Sequence, residues 1–168
     1  MRSFGLGVIA AFILMPIGTI GCFVLGLTEI RSDSKPSGWE SQLMNSAVHA
    51  AVRRNVTGIS NPTPASDERL VAGGKLYVEG CAGCHGELAK PLQEDHDHFP
   101  PVPQLPHVGT QYSEEEAYWI VKHGIRMSAM SAYGPFYSEQ QLWALAAFVA
   151  RIKSLPPDVL RAIQANKK

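Results

Sequence analysis

The most apolar part of the chain lies near its N-terminus. No charged residue occurs from Phe4 to Leu27, and a helix of that length spans about 36 Å, which is enough to cross a bilayer. The stretch is longer than the apolar region of a usual signal peptide, and no A-x-A cleavage site follows it. The pattern therefore predicts an N-terminal transmembrane anchor, 1–30, that stays on the mature protein.

Two alternatives to this anchor stay open. A cleaved signal peptide would also begin with a basic residue, here Arg2. A lipid on Cys22 would hold the chain at the membrane instead, although "TIGC" lacks the leucine usually found three places before a lipidated cysteine. We favour the anchor because it accounts for the full length of the apolar run.

A second apolar pattern follows the anchor at helical spacing. Trp39, Leu43 and Ala51 recur on one face, and Ser37 with Glu40 has the pattern of a capping box. The segment 31–65 is predicted to be an amphipathic helix and then a proline-stiffened linker. One stripe does not identify what it covers, so the helix packs on its own domain, lies on the membrane surface or docks a partner subunit.

Two further helices are predicted by the same reasoning. "SEEEAYWIVKHG" has a capping box in Ser113 and Glu116 and a stop at Gly124. "SEQQLWALAAFVARIK" begins at Ser138 and carries a continuous apolar stripe. No run alternates apolar and polar residues as a half-buried strand would. These patterns indicate an all-α fold.

The motif that carries chemistry is "LYVEGCAGCHGE". On a helical turn, Cys81, Cys84 and His85 share one face, because residues i, i+3 and i+4 lie together. Cys-x-x-Cys-His is the spacing of covalent haem attachment, in which both cysteines form thioethers with the haem and the histidine binds iron. The motif predicts one covalent haem c.

Zinc and dithiol chemistry are the alternatives for the same motif. A structural zinc site needs four protein ligands, and no second Cys or His pair stands at metal-ligand spacing, since Cys22 lies within the apolar run. A thioredoxin-like dithiol would stand near a βαβ pattern, which is absent from this sequence. Haem attachment is therefore the interpretation we carry forward.

Charge excludes one class of partner. Basic and acidic residues are equal in number, 15 each, but acidic residues outnumber basic ones between Asp67 and Lys153. A mildly acidic domain lacks the basic surface that binds phosphate backbones. We therefore expect no nucleic acid among the partners.

From Asp67 to Leu155 the sequence resembles a class I c-type cytochrome, a small all-α domain around one haem. Besides the haem motif, Gly73 and Tyr77 match a glycine and an aromatic on the family's first helix. The resemblance implies that they pack against the C-terminal helix, with Leu145 and Phe148 as contacts. It defines a cytochrome c domain, 66–155, followed by a C-terminal tail, 156–168.

The resemblance also implies the remaining ligands. "GIRMSAMSAYG" is similar to the family's methionine loop, which makes Met130 the sixth ligand of the iron beside His85. Met127 and His123 are the alternatives, and Ser131 stands where the family usually has a proline. A proline carbonyl in the family accepts the Nδ1 hydrogen of the ligand histidine, and the expected residue here is Pro100 or Pro101.

Function follows from this ligand set. With both axial positions filled, the iron can change oxidation state but has no open position for a substrate. We expect a membrane-anchored monohaem cytochrome that passes single electrons, as a carrier or as a subunit of a respiratory or photosynthetic complex, and that is not an enzyme by itself. A haem-based gas sensor or peroxidase with a labile sixth ligand is the alternative.

The compartment follows from the cofactor. Haem attachment in c-type cytochromes takes place on the outer side of the energised membrane, which implies a single-pass protein of a bacterial cytoplasmic membrane with its haem domain on the periplasmic side. Redox partner proteins, within a larger membrane complex, are the expected partners. The electron donor and acceptor leave no signature in the sequence.

Overall fold

The chain folds into helices joined by loops. A computed structural model describes residues 2–31, 34–64, 66–92 and 98–165, apart from the side chains of 2–9 and 11. No strand occurs in these residues, so the predicted all-α class is confirmed for them. The helices are α1 Arg2–Val24, α2 Gly38–Asn55, α3 Asp67–Gly80, α4 Ala82–His85, α5 Leu105–Val108, α6 Glu114–His123, α7 Glu139–Ala150 and α8 Pro157–Ala165.

Two compact units make up the structure, Met1–Ser34 and Lys35–Lys168. The first unit contains α1, and the second contains α2 to α8. Within the ranges that the structure describes, no helix combines the length and the hydropathy required to cross a membrane.

The core of the second unit forms where α3 and α6 pack against α7. Tyr77 of α3 and Phe148 of α7 are fully buried, with ring centroids 5.3 Å apart. On the other side of α7, Trp143 stacks on Tyr118 of α6 with centroids 4.0 Å apart. Burial of these large rings is the main driving force for joining the three helices.

Two adjacent glycines allow α3 to approach its neighbours closely. A Cβ on Gly73 would lie 2.0 Å from the carbonyl oxygen of Ala144 in α7. A Cβ on Gly74 would lie 2.2 Å from Cδ1 of Ile163 in α8. The predicted packing of Gly73 and Tyr77 on the C-terminal helix of the cytochrome domain is present, and that helix is α7. The predicted contact Phe148 meets both residues. The predicted contact Leu145 is fully buried in the same core, and Ala144 is a further contact of Gly73.

The segment 156–168, which the sequence suggested was a tail, contains a helix that belongs to the core. In α8, Val159 and Ile163 are buried, and the helix packs against α3. Pro156 precedes this helix and Pro157 begins it, and the buried residues Val159 and Ile163 stand at the i, i+4 spacing of one helix face. This helical pattern was present in the sequence and was overlooked. The compact domain therefore continues beyond Leu155.

Helix α2 packs on the same domain through its second half. Val52 is fully buried, and His49 lies against Tyr112 with ring centroids 5.1 Å apart and its Nε2 3.1 Å from the side-chain nitrogen of Gln111. The first half differs, because Trp39 and Leu43 are exposed. Of the three predicted roles, packing on its own domain is the one that the structure shows for this second half.

The linker after α2 is attached to the domain by charged side chains. Glu114 of α6, whose side chain is mostly buried, pairs with Arg151 at 2.6 Å and with Arg69 at 3.7 Å. Arg69 also donates to the Asn61 side chain at 3.0 Å and to the carbonyl of Pro64 at 3.2 Å. Because removal of one partner would leave a buried charge uncompensated, this cluster fixes the linker to α3 and α6.

The resemblance also implies a start at Ser66 or Asp67 for the first helix of the cytochrome domain, and the structure has caps at this start and at the two starts predicted from Ser113 and Ser138. Ser66 accepts from the Arg69 N–H, and Ser113 and Ser138 form full capping boxes with Glu116 and Gln141. The predicted capping box at Ser37 is wrong, since Ser37 is the N-cap of α2 but its side chain makes no capping hydrogen bond.

Substitution of Gly74 tests the packing of α8. Gly74→Ala should lower the free energy of unfolding by about 1–3 kcal/mol, because the new methyl group overlaps Ile163 and Phe148. In an Ile163→Ala background the additional loss should be smaller, since the Ile163 atoms that overlap the new methyl group are gone and only the contact with Phe148 remains. Denaturant unfolding measures both. Gly38→Ala in α2, where no atom lies within 4 Å, is the control and should not destabilise. Equal stability of Gly74→Ala and wild type would refute this packing.

Candidate functional site

The haem-attachment motif lies at the junction of α3 and α4. Cys81 caps the end of α3, with its N–H bonded to the Tyr77 carbonyl, and it is also the N-cap of α4. Its backbone leaves helical geometry there, with φ −121° and ψ −33°. The chain therefore turns at Cys81, and α4 carries Cys84 and His85 as a separate short turn.

The two cysteines differ in environment. Cys81 is buried and Cys84 is exposed, and both are free thiols. Burial, together with the nearby Cys84, raises the pKa of the Cys81 thiol to about 11. A dithiol redox centre needs a thiolate near neutral pH, so this environment disfavours the dithiol alternative.

His85 is held by a hydrogen bond to the loop after the motif. Its Nδ1 lies 3.0 Å from the carbonyl oxygen of Pro103. A carbonyl only accepts, so Nδ1 carries the hydrogen and the lone pair of the ring is on Nε2. Burial lowers the pKa of His85, and the bond to Pro103 opposes this shift in part. A neutral imidazole with its lone pair on Nε2 is suited to bind a metal.

The predicted acceptor was therefore two or three positions away from the observed one. Pro100 or Pro101 was expected, and the structure gives Pro103. Every residue offers the same backbone carbonyl, so sequence alone does not distinguish one proline of "FPPVPQ" from another. The path of the loop decides which carbonyl faces His85.

Two side chains from outside α4 donate hydrogen bonds to its last carbonyl groups. The Tyr77 hydroxyl lies 2.7 Å from the Gly86 oxygen and 3.1 Å from the His85 oxygen. The Gln104 amide donates to the Cys84 oxygen at 2.9 Å. The last carbonyls of a helix have no partner within it, and these two side chains supply donors. Neither role had a recognisable sequence signal.

The loop that carries Met130 is fastened to the end of α6. The N–H of Ile125 donates to the Met130 carbonyl at 3.0 Å, and the N–H of Tyr133 donates to Val121 at 3.0 Å. Gly124 has φ +67°, and a Cβ there would lie 2.6 Å from the Met130 oxygen. These bonds order the loop although Ser131 replaces the family's proline.

Met130 and Met127 differ sharply in position. Met130 is partly buried and packs against the core, whereas the Met127 side chain is 89% exposed. His123, the third alternative, is exposed at the end of α6 with its ring against Trp119. Of the three, only Met130 adjoins the apolar interior in which a cytochrome holds its haem.

A tyrosine joins the methionine loop to the haem motif. Tyr133 donates through its hydroxyl to the carbonyl of Gly80, the last residue of α3, at 3.0 Å. Its ring stacks on Tyr137 with centroids 5.6 Å apart. The sequence analysis missed this connection, since an aromatic residue in a loop has no spacing that marks its partner.

The motif does not have the geometry of a zinc site. In the part of the chain that the structure describes, no three His, Cys, Asp or Glu side chains are arranged to hold a metal ion. Cys81, Cys84 and His85 therefore do not converge as zinc ligands would. Haem attachment requires no such convergence, because the cysteines bond to the porphyrin and only the histidine meets the iron.

Comparison with known proteins agrees with this chemistry. Residues 68–149 match the family described as cytochrome C oxidase, cbb3-type, subunit III. No curated protein and no solved structure matches the chain. The matched region begins at the start of α3 and ends near the end of α7, so it contains the haem motif and the methionine loop. The matched region is a c-type cytochrome domain, a class of domain that transfers electrons.

The residues present fit the haem c that this class binds. Two free thiols stand at the attachment spacing, His85 presents the correct ring nitrogen, and a partly buried methionine lies in a loop fastened beside the core. Cys81 and Cys84 would tether the haem, and His85 would bind its iron.

Proposed function

We propose that the protein is a membrane-anchored cytochrome c with one haem that carries single electrons, as a carrier or as a subunit of a membrane respiratory or photosynthetic complex. The proposal rests chiefly on the His85 ring. Its Nδ1 is hydrogen-bonded to the Pro103 carbonyl, which leaves the lone pair on Nε2 available to bind iron. Met130, partly buried, would be the second protein ligand of the iron.

The chain's own residues explain why electron transfer is favoured over substrate chemistry. When bound, the haem supplies an iron that alternates between Fe(II) and Fe(III). His85 and Met130 would both bind this iron, so that no position stays open for a substrate. The bond from His85 to Pro103 keeps the imidazole in one orientation, and the bonds of the Met130 loop limit its movement. A rigid coordination sphere suits repeated electron transfer, because little rearranges between oxidation states.

One haem is proposed because the sequence has one Cys-x-x-Cys-His motif and its third cysteine, Cys22, lies in the apolar N-terminal stretch. The family description names a subunit of a cytochrome c oxidase. That description supports a place for this protein beside a larger redox complex, with other redox proteins as donor and acceptor.

The membrane anchor is proposed from the uncharged stretch Phe4 to Leu27. An anchor there, with the haem attached outside the cytoplasm, would place the domain on the periplasmic side of a bacterial cytoplasmic membrane. Such an anchor confines a carrier to two dimensions and raises its effective concentration near membrane-bound partners.

Covalent attachment is tested on denaturing gels stained for haem. Wild-type protein, made in a cell that matures c-type cytochromes, should stain at its own mass. Cys81→Ala with Cys84→Ala should abolish the stain, because no thioether can form. Cys22→Ala removes the remaining cysteine and should stain like wild type. An unstained wild-type band would contradict the proposed function.

The sixth ligand is tested by absorption spectroscopy of the oxidised protein. Met130→Ala should remove the weak far-red band of methionine bound to iron, lower the reduction potential and open the reduced iron to carbon monoxide. Met127→Ala changes the exposed neighbour and should leave the band in place. If Met127→Ala removes the band, or if reduced wild-type protein binds carbon monoxide readily, the Met130 assignment is wrong, and ready binding would favour the sensor or peroxidase alternative.

Topology is tested by intact mass and by protease treatment of sealed cells. We expect the full N-terminal stretch on the mature protein and digestion of the haem domain by external protease once the outer membrane is opened. A mature N-terminus at Cys22 that carries lipid, or a haem domain protected until the cytoplasmic membrane is broken, would contradict this arrangement.

A further inference from the structure

Gln104 is unusual among the described residues, because it is the polar, non-aromatic side chain that the fold buries, with 8% of its surface exposed. Its amide Nε2 donates to the carbonyl oxygen of Cys84 at 2.9 Å. The residue before it, Pro103, accepts the hydrogen of His85 Nδ1 at 3.0 Å. Two consecutive loop residues thus bind two consecutive residues of the haem motif.

The backbone of Gln104 is fixed as well as its side chain. Gln104 is the N-cap of α5, and its carbonyl accepts from the N–H groups of His107 at 2.9 Å and Val108 at 3.0 Å. Leu105, the next residue, is buried in the core. The loop is therefore held by α5 on one side and by the Cys84 carbonyl on the other.

Gly86 makes room for this side chain. It has φ +92°, and a Cβ there would lie 2.7 Å from Oε1 of Gln104. A glycine directly after the ligand histidine therefore lets the amide approach the end of α4. The close approach explains how Gln104 reaches the Cys84 carbonyl while it remains buried.

We propose that Gln104 is a positioning residue for the iron ligand His85. Its amide bond to Cys84 keeps the Pro103 carbonyl next to His85 Nδ1, and so sets the orientation of the ring and the strength of the Nδ1 hydrogen bond. This role rests on the proposed function, in which His85 binds the iron. It differs from the role of Tyr77, whose hydroxyl bonds to the backbone carbonyls of His85 and Gly86 and not to the side chain that the Pro103 carbonyl holds.

Two measurable consequences follow from this arrangement. Without the amide donor the Pro103 loop gains freedom, and the His85 Nδ1 hydrogen exchanges more readily with solvent. A weaker Nδ1 bond also makes the imidazole a poorer electron donor to the iron, which disfavours Fe(III). The reduction potential should therefore rise.

The test compares Gln104→Leu with Tyr77→Phe in the full-length protein with its haem attached. Each substitution removes one donor to the end of α4, but only the first acts on the Pro103 loop. For Gln104→Leu we expect exchange of the Nδ1 hydrogen, measured by NMR, to be about tenfold faster and the potential to rise. For Tyr77→Phe we expect lower thermal stability with exchange at the wild-type rate.

Equal exchange rates and potentials in Gln104→Leu and wild type would overturn the positioning role. So would an equal change in both variants, which would indicate general loosening of α4. If Gln104→Leu does not fold, Gln104→Glu provides the comparison, because it keeps the shape of the side chain and replaces the amide donor. Failure of the proposed function itself would look different, since wild-type protein would then carry no covalent haem.

Discussion

The contact between α3 and α7 is the constraint on which the rest of the domain depends. At Gly73 the two helices are so close that a single Cβ would overlap the backbone of Ala144. Beyond this contact, Tyr77 packs on Phe148 and turns its hydroxyl to the end of α4. The direction of α3 thereby sets the position of Cys81, and with it the place where the haem motif begins. Tyr77, four positions before Cys81, therefore packs in the core with its ring and binds the end of the haem motif with its hydroxyl.

Hydrogen bonds to backbone carbonyls then link the parts of the site to this core. Tyr77 and Gln104 bind the end of α4, His85 binds the loop at Pro103, and Tyr133 joins the methionine loop to the end of α3. Each bond ties a loop or short turn to another element rather than to itself. Short segments that lack a core of their own gain order in this way, most strongly at the buried Gly86 carbonyl, which would be costly to leave without a donor. These bonds extend the order of the packed helices α3 and α7 to the loops of the site.

What could be predicted from the sequence was local. The capping box of Ser113 with Glu116 and the Cys81, Cys84 and His85 spacing lie within a few residues, so a short window contains all of their information. The acceptor at Pro103 and the buried amide of Gln104 depend on how a loop folds back over about twenty residues, and no spacing encodes that path. Helix α8 did have a local signal, Val159 and Ile163 at helical spacing, but the place where it packs depends on the space that Gly74 leaves beside α3. For the methionine ligand, the sequence indicated the loop through its resemblance to the family. The structure adds that Met130 is partly buried whereas Met127 is exposed.

The central claim is that one haem, held by Cys81, Cys84 and His85, lets this protein carry electrons one at a time. A potentiometric titration of the purified protein, followed by the absorbance of its haem, tests that claim most directly. We expect a single reversible transition with the slope of a one-electron couple, in which a tenfold change in the ratio of oxidised to reduced protein corresponds to about 59 mV. Two resolved transitions, or a haem that does not return to its starting spectrum after reduction and reoxidation, would contradict it.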